Sequence, residues 1–273
     1  MKPPDNYFKS SFPLSPEQIQ RYQRDGHLLL KGLATKEEIE AYRPHIREAL
    51  RKEAEKREAE SRSGGYRSYF VQVTNLWRLD EQVRRFVFAE RFARVAAGLM
   101  GVKGVRLYHD QALFKQVGGK ATPWHQDQFY WPLDTPHTIT LWMPLLDLTK
   151  QMGTMIFASG SHRGGPLASI SISEESDRLY ERLVAEKGFP TASYDLQAGD
   201  ATFHSGWTAH ATHPNQGDRD REVMTVIYYA DGTRILEPDN SFRKVDMEAF
   251  HPGQKPGDVA ASVLNPLLYP SVY

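Results

Sequence analysis

The chain has 273 residues, with Lys plus Arg at 34 against Asp plus Glu at 34, a 40% share of hydrophobic residues and no cysteine. That length fits one large domain, and the apolar share suffices for a buried core. The balanced charge gives no electrostatic case for nucleic acid or an acidic membrane; the missing thiols exclude a disulfide frame or a thiolate nucleophile, and no apolar run reaches the length of a membrane span. The opening segment MKPPDNYFKSSFPLS has no apolar signal core, so the expectation is a cytoplasmic protein, monomeric or weakly self-associating, acting on a small molecule.

Residues 1–14 read as a loosely held arm. Ser15-Pro16-Glu17-Gln18 is a helix start with a Ser cap, Pro at the first helical position and Gln three residues after the cap. This helix should end near Asp25-Gly26, with a short strand over 27–31. Thr35-Lys36-Glu37-Glu38 is a second capping box, opening a helix to about Ser61 whose later part is densely charged and reads as a solvated face; Gly64-Gly65 breaks it. Residues 66–80 mix aromatic and polar groups, and 80–99 carry apolar residues at helical spacing.

From Val105 the chain turns strand-rich, with segments over 105–117, 122–130, 137–147, 153–158, 193–197, 200–204, 207–212 and 222–230. Such a series, punctuated by Gly, Pro and Asp, fits a double-sheet jelly roll. The expected fold is mainly β with α additions: a double-stranded β-helix, cupin-like, with the N-terminal helices on its outer face. It would fill residues 15–235, with a helical part over 15–100 and core strands over 105–231. A short helix near 174–187 is inserted between strands. Residues 236–273, with scattered prolines and glycines, read as an irregular tail packed on the domain.

The chemistry concentrates in Trp124-His125-Gln126-Asp127 and, about eighty residues on, Trp207-Thr208-Ala209-His210 followed by Arg221. On a strand, residues two apart share a face, so His125 and Asp127 can reach one metal. A second histidine from a distant strand would complete the two-His, one-carboxylate facial triad of non-haem Fe(II) oxygenases, which leaves positions open for a co-substrate and O2. Three histidines, His204, His210 and His213, are candidates for the distal ligand. Arg221 adjoins an apolar run and offers a planar fork that matches a carboxylate of a bound 2-oxoacid, whereas Arg219 sits in a charged turn. Thr212 lies on the same strand face as His210 and could donate a hydroxyl to that carboxylate. Gln111, with Tyr108 as rival, could hydrogen-bond the co-substrate from the preceding strand. The aromatics Phe129, Tyr130, Trp131 and Trp207 read as the substrate side, and His162 as structural. Residues 66–77 and 164–192 flank the core, and one or both are expected to form a lid over the metal.

Through WHQDQFYW, TLWMPLLDLTKQMGTMIFASGSH, GDATFHSGWTAHATHPN and DREVMTVIYYADG, the chain resembles the phytanoyl-CoA dioxygenase family of Fe(II)/2-oxoglutarate-dependent oxygenases over most of residues 15–235. The resemblance implies His125, Asp127 and His210 as the catalytic iron ligands, with Arg221 and Thr212 on the distal carboxylate of 2-oxoglutarate and Trp142 lining the co-substrate pocket. It also implies O2 as oxidant and release of succinate and CO2. A carboxylate at position 127 favours hydroxylation or a related oxidation over halogenation. Family members act on acyl thioesters, amino acids, osmolytes and secondary metabolites. No basic cluster marks a coenzyme A cradle, so a small to medium metabolite is expected. The competing reading is a cupin-like metal isomerase or ligand-binding protein without oxygenase turnover.

Overall fold

The computed structural model describes residue 3, residues 7–60 (side chains to 56) and residues 70–270. The N-terminal signals act as their chemistry predicts. Helix α1 (Pro16–Asp25) opens with the Ser15 hydroxyl accepting from the Gln18 N–H at 3.2 Å and the Gln18 side chain accepting from the Ser15 N–H at 2.9 Å. It closes on Gly26 at φ 75°, where any Cβ would collide with His162 and Thr208. Strand β1 (His27–Leu30) follows, then α2 (Lys36–Glu60), capped reciprocally by Thr35 and Glu38. Gly64-Gly65, expected to break this helix, lies outside the described residues.

The next elements are β2 (Phe70–Thr74), α3 (Glu81–Val87), α4 (Glu90–Met100), β3 (Val105–Lys115), β4 (Thr122–His125), β5 (Thr138–Pro144) and β6 (Met155–Ala158). After them come α5 (Glu174–Glu186), β7 (Thr191–Ser193), β8 (Ala201–Ser205), β9 (His210–Thr212), β10 (Arg221–Ala230), α6 (Ser241–Phe250) and β11 (Leu267–Tyr269). The larger sheet runs β1-β8-β5-β10-β3-β11, with β2 also paired to β3; the smaller runs β4-β9-β6-β7. All the pairings are antiparallel. The two sheets enclose a cavity, as a jelly roll requires.

Helices α1 to α4 cover the outer face of the larger sheet. Phe86, Phe92 and Ile46 from the helices share one buried cluster with Leu141, Phe203 and Met224 from the strands. Strand β10 is therefore buried on both faces, which explains its continuous apolar run. Met224, Val226 and Tyr228 face the helices, while Arg221, Thr225 and Ile227 face the cavity. Glu222, pointing outward, is fixed to α2 by Arg43 at 2.7 Å.

Four expectations need correction. The arm is not loose over residues 7–10: Phe8 is 3% exposed, stacks on Tyr42 at 5.0 Å, and its N–H donates to Glu38, which is itself paired with buried Arg91. Residues 70–74, lacking a clean alternation, nevertheless form β2, because β3 offers a free edge there. The C-terminal segment is not irregular. Its prolines at 238 and 252 bracket a stretch that forms α6, capped by Asn240 on the Arg243 N–H, and β11 joins the larger sheet. Finally, the strand expected over 122–130 ends at His125, and a 3-10 turn, Asp127–Phe129, follows.

Candidate metal centre and its cavity

His125 ends β4 and His210 begins β9, and the two are direct cross-strand partners. Pairing of these short strands brings the imidazoles to 4.2 Å between ring centroids. Asp127 arrives differently. It is not on the strand, as a two-residue alternation would have it, but on the 3-10 turn that folds back beneath the histidines. Its Oδ1 lies 3.4 Å from His125 Nε2 and 3.7 Å from His210 Nε2. One ligand atom from each of the three falls within 4.8 Å of the others.

The surroundings fix which atoms face inward. His125 Nδ1 lies 2.8 Å from the Pro123 carbonyl and His210 Nδ1 lies 2.9 Å from that of Thr208. A carbonyl can only accept, so each Nδ1 carries a proton and each Nε2 is the atom turned to the centre, with a lone pair to offer a metal when the ring is neutral. On Asp127 the outer oxygen, Oδ2, receives the Thr140 hydroxyl at 3.2 Å and faces His204 Nε2 at 3.3 Å, leaving Oδ1 toward the centre. Burial pushes Asp127 up, but the imidazoles of His210, His125 and His204 outweigh it and hold the carboxyl well below its usual range. Burial, then His125, pushes His210 well down. Two neutral imidazoles and one carboxylate suit Fe(II), and the open side of the set faces the cavity.

The cavity holds about 320 Å³ and is lined by both sheets. A wider surface groove along α2 shares none of the triad residues. Arg221 is 1% exposed, with its guanidinium over the rings of Trp142 and Phe70 at 5.8 and 5.9 Å. Its Nη1 donates to the Gly153 carbonyl at 2.6 Å, its Nε has no acceptor, and among the described residues no carboxylate pairs with it. Burial pulls its pKa down to about 9. Beside it, in cross-strand register, Lys115 donates to the Thr212 hydroxyl at 2.8 Å. Burial, then Arg221, pulls this lysine down to about 7. The Arg221 guanidinium and the Thr212 hydroxyl thus line one end of the cavity, Lys115 stands behind that hydroxyl, and among the described residues no carboxylate pairs with either basic side chain.

Trp142, Gln111, Thr212, Tyr130 and Trp131 all line this cavity. Tyr108 does not; its hydroxyl donates to Asp246. Phe129 packs instead on Tyr130 and Phe242, and Trp207 is likewise not part of the lining. His213 and Arg219 are exposed, and His162 lies 3.1 Å from the Gln23 carbonyl, away from the triad. Of the expected lid, Tyr66 and Tyr69 lie outside the described residues, while Phe70, Gln72 and Thr74 form cavity wall on β2. Within 164–192 only Ile172 lines the cavity. Helix α5 packs behind β4, where Tyr180 and the Gly165 and Leu167 backbone are tied to the outward-facing Gln126.

Sequence reasoning missed Lys115, Thr140, and the α6 residues Asp246 and Phe250. Lys115 was detectable: it continues the alternation His109, Gln111, Leu113 along one face of β3. Nothing local marks Thr140 or Asp246, which reach the site only through strand pairing and helix docking.

Comparison with known proteins agrees with this geometry. A family model described as phytanoyl-CoA dioxygenase (PhyH) matches residues 22–223. An ectoine dioxygenase of Bordetella parapertussis is 29% identical, with 79% of this chain and 75% of the relative covered. A phytanoyl-CoA dioxygenase domain-containing protein of Bos taurus is 23% identical over 88% of this chain and 98% of its own. Among solved structures, the non-haem 2-oxoglutarate-dependent carbocyclase SnoK of nogalamycin biosynthesis superposes with a TM-score of 0.76 at 23% identity, covering 96% of this chain and 98% of the other. The jelly roll, the His-x-Asp turn paired to a distal histidine and a match over most of its length lead to one statement: the chain belongs to the phytanoyl-CoA dioxygenase family.

Proposed function

We propose that this dioxygenase oxidises an unactivated C–H bond of a small to medium metabolite to an alcohol, with His125, Asp127 and His210 as the iron ligands. Fe(II) is its metal, and 2-oxoglutarate and O2 are its co-substrates. The overall reaction balances as substrate C–H, 2-oxoglutarate and O2 giving substrate C–OH, succinate and CO2. The observation that carries the assignment is an N2O donor set sharing one cavity with Arg221, a buried guanidinium that has no carboxylate partner among the described residues.

Iron, when bound, supplies open coordination positions and the redox chemistry that activates O2. The chain's own residues do the rest. Arg221 and Lys115 would hold the distal carboxylate of 2-oxoglutarate. The Thr212 hydroxyl already accepts from Lys115 and, at 3.0 Å, from the Thr122 N–H, so its own proton is free to join them. The rings of Trp142 and Phe70 lie beside the guanidinium and help keep water from it. Thr140 and His204 would keep Asp127 turned toward the metal, and Gln111 offers an amide to the co-substrate from the cavity wall. A cupin-like isomerase or binding protein gives no role to the unpaired, buried Arg221, which favours the oxygenase reading over it.

The test is succinate formation. Purified protein given Fe(II), 2-oxoglutarate and O2 should release succinate, and Arg221→Leu should suppress this at limiting 2-oxoglutarate. No succinate under any supply of iron and co-substrate would mean that the protein is not an oxygenase.

A further inference from the structure

We propose that the substrate carries a protonated amine and that Asp246 on α6 is the residue that selects it. This rests on the oxygenase reading, and it concerns the end of the cavity opposite Arg221. Ile227 lies six residues beyond Arg221 on β10, about 20 Å at the usual strand rise, with His109 as its cross-strand partner.

Helix α6 is seated over this end. Phe242 packs on Phe129 and Tyr130 at 5.9 and 5.5 Å, and Arg243 donates to the carbonyls of Phe129 and Gln128. Asp246 and Phe250, on the same helix face one and two turns on, line the cavity. A register shift between β10 and β3 places both Tyr108 and His109 toward this region. The Tyr108 hydroxyl donates to Asp246 Oδ2 at 2.8 Å. Among the described residues, Oδ1 has no hydrogen-bond donor and the carboxylate no cationic partner.

The groups around Asp246 cannot neutralise it. His109 lies against Phe250 in a tilted pair with ring centroids 4.3 Å apart, and burial pushes its pKa down to about 3; burial likewise pushes His251 down to about 4, so both imidazoles are neutral. Tyr108, Tyr130 and Trp131 offer rings and hydroxyls but no charge. Arg243 is engaged by Asp239 and the two carbonyls. Burial raises Asp246 only to about 6, so it is an anion at neutral pH. A partly buried carboxylate without a counter-charge is costly. A substrate ammonium would remove that cost, and the faces of Phe250, Tyr130 and Trp131 add cation–π attraction. The same carboxylate repels anionic molecules, including a second 2-oxoglutarate, from this end.

The experiment titrates cyclohexylamine, N,N-dimethylcyclohexylamine and cyclohexanol, anaerobically and at neutral pH, into the full chain loaded with Mn(II) and 2-oxoglutarate, using calorimetry. The amines should bind at least about tenfold more tightly than the alcohol, the scale of a charge-assisted hydrogen bond. Asp246→Asn should cancel that preference while leaving cyclohexanol affinity in place, and Tyr108→Phe should shrink it. Equal affinity for amine and alcohol in the unsubstituted protein, no amine binding, or a preference that survives Asp246→Asn would each overturn the proposal. The first comparison needs no variant to fold. Succinate formation by the iron-loaded protein judges the oxygenase reading separately, so the two can fail independently.

Discussion

Arg221 and Lys115 stand side by side on β10 and β3, each 1% exposed, each carried by a strand in the interior of a seven-stranded sheet. Asp246, at the other end of the same cavity, hangs from a helix none of whose residues is fully buried. The cation end is held by strand pairing on both sides and shares its strands with the core. The anion end is held by a few contacts of α6 to the turn around Gln128 and Phe129. A charge built into a central sheet cannot be moved without disturbing the core, which suits the role proposed for Arg221, holding a co-substrate that never changes. A charge on a docked helix can be exchanged cheaply, which suits the substrate-selecting role proposed for Asp246. The triad lines the same cavity, its histidines on the paired strands β4 and β9 of the smaller sheet and its carboxylate on the turn that follows.

The largest expected effect lies at the triad. His125→Ala, Asp127→Ala and His210→Ala should each abolish Fe(II) binding and succinate formation while near-native circular dichroism persists. Metal content after anaerobic loading reads this directly; retention of metal by His210→Ala with loss in His204→Ala would exchange the roles of those two histidines. Next comes the contrast between the ends. Arg221→Leu should weaken 2-oxoglutarate binding by roughly 2–5 kcal/mol, the range for breaking a buried charge pair, with metal affinity little changed. Should Asp246→Asn weaken 2-oxoglutarate more than Arg221→Leu does, the ends have been assigned backwards.

A smaller effect is expected one step from the ligands. Thr140→Val deletes the hydroxyl on Asp127 Oδ2, and outer partners of this kind are worth about 10- to 100-fold in metal affinity. Competition against a metal indicator would measure it, and an unchanged affinity would leave His204 as the group that orients Asp127.

The smallest effect tests whether the cation end is strained without its anion. Burial lowers Lys115 to about 7 from its ordinary 10.5. Between those values the unfolded chain binds more protons than the folded one, so stability without co-substrate should rise with pH across that window. Below about 7 both states hold the proton and this contribution is flat. Thermal unfolding followed from pH 7 upward should therefore show a slope that Lys115→Met reduces. An identical slope in both proteins would remove Lys115 from the site.

Much of this was legible in the chain because it depends on local chemistry. Reciprocal caps at Ser15/Gln18 and Thr35/Glu38 set two helix starts within the first forty residues. Seven of the eight expected strand segments overlap an observed strand well, though β9 is shorter than expected; the segment expected over 193–197 meets β7 only at Ser193, because β7 lies at Thr191–Ser193. Gln111, Trp142, Thr212 and Arg221 all reach one cavity, as the spacing and the resemblance together suggested. The reason given for His125 and Asp127 did not hold, since a 3-10 turn and not a strand face brings the carboxylate inward.

By itself, then, the sequence determined the family, the donor types and most of the strand segments, because motif spacing and alternation are properties of neighbouring residues. Only the tertiary structure decided which groups surround those donors. The pairing of Lys115 with Arg221 follows from antiparallel register between strands more than a hundred residues apart. The closing of the cavity by Asp246 and Phe250 follows from where α6 docks, and that is set by Arg243 and Phe242 meeting the turn after Asp127. Contacts between distant segments leave no period in the chain, so their chemistry becomes visible only when the strands have been paired and the last helix laid across them.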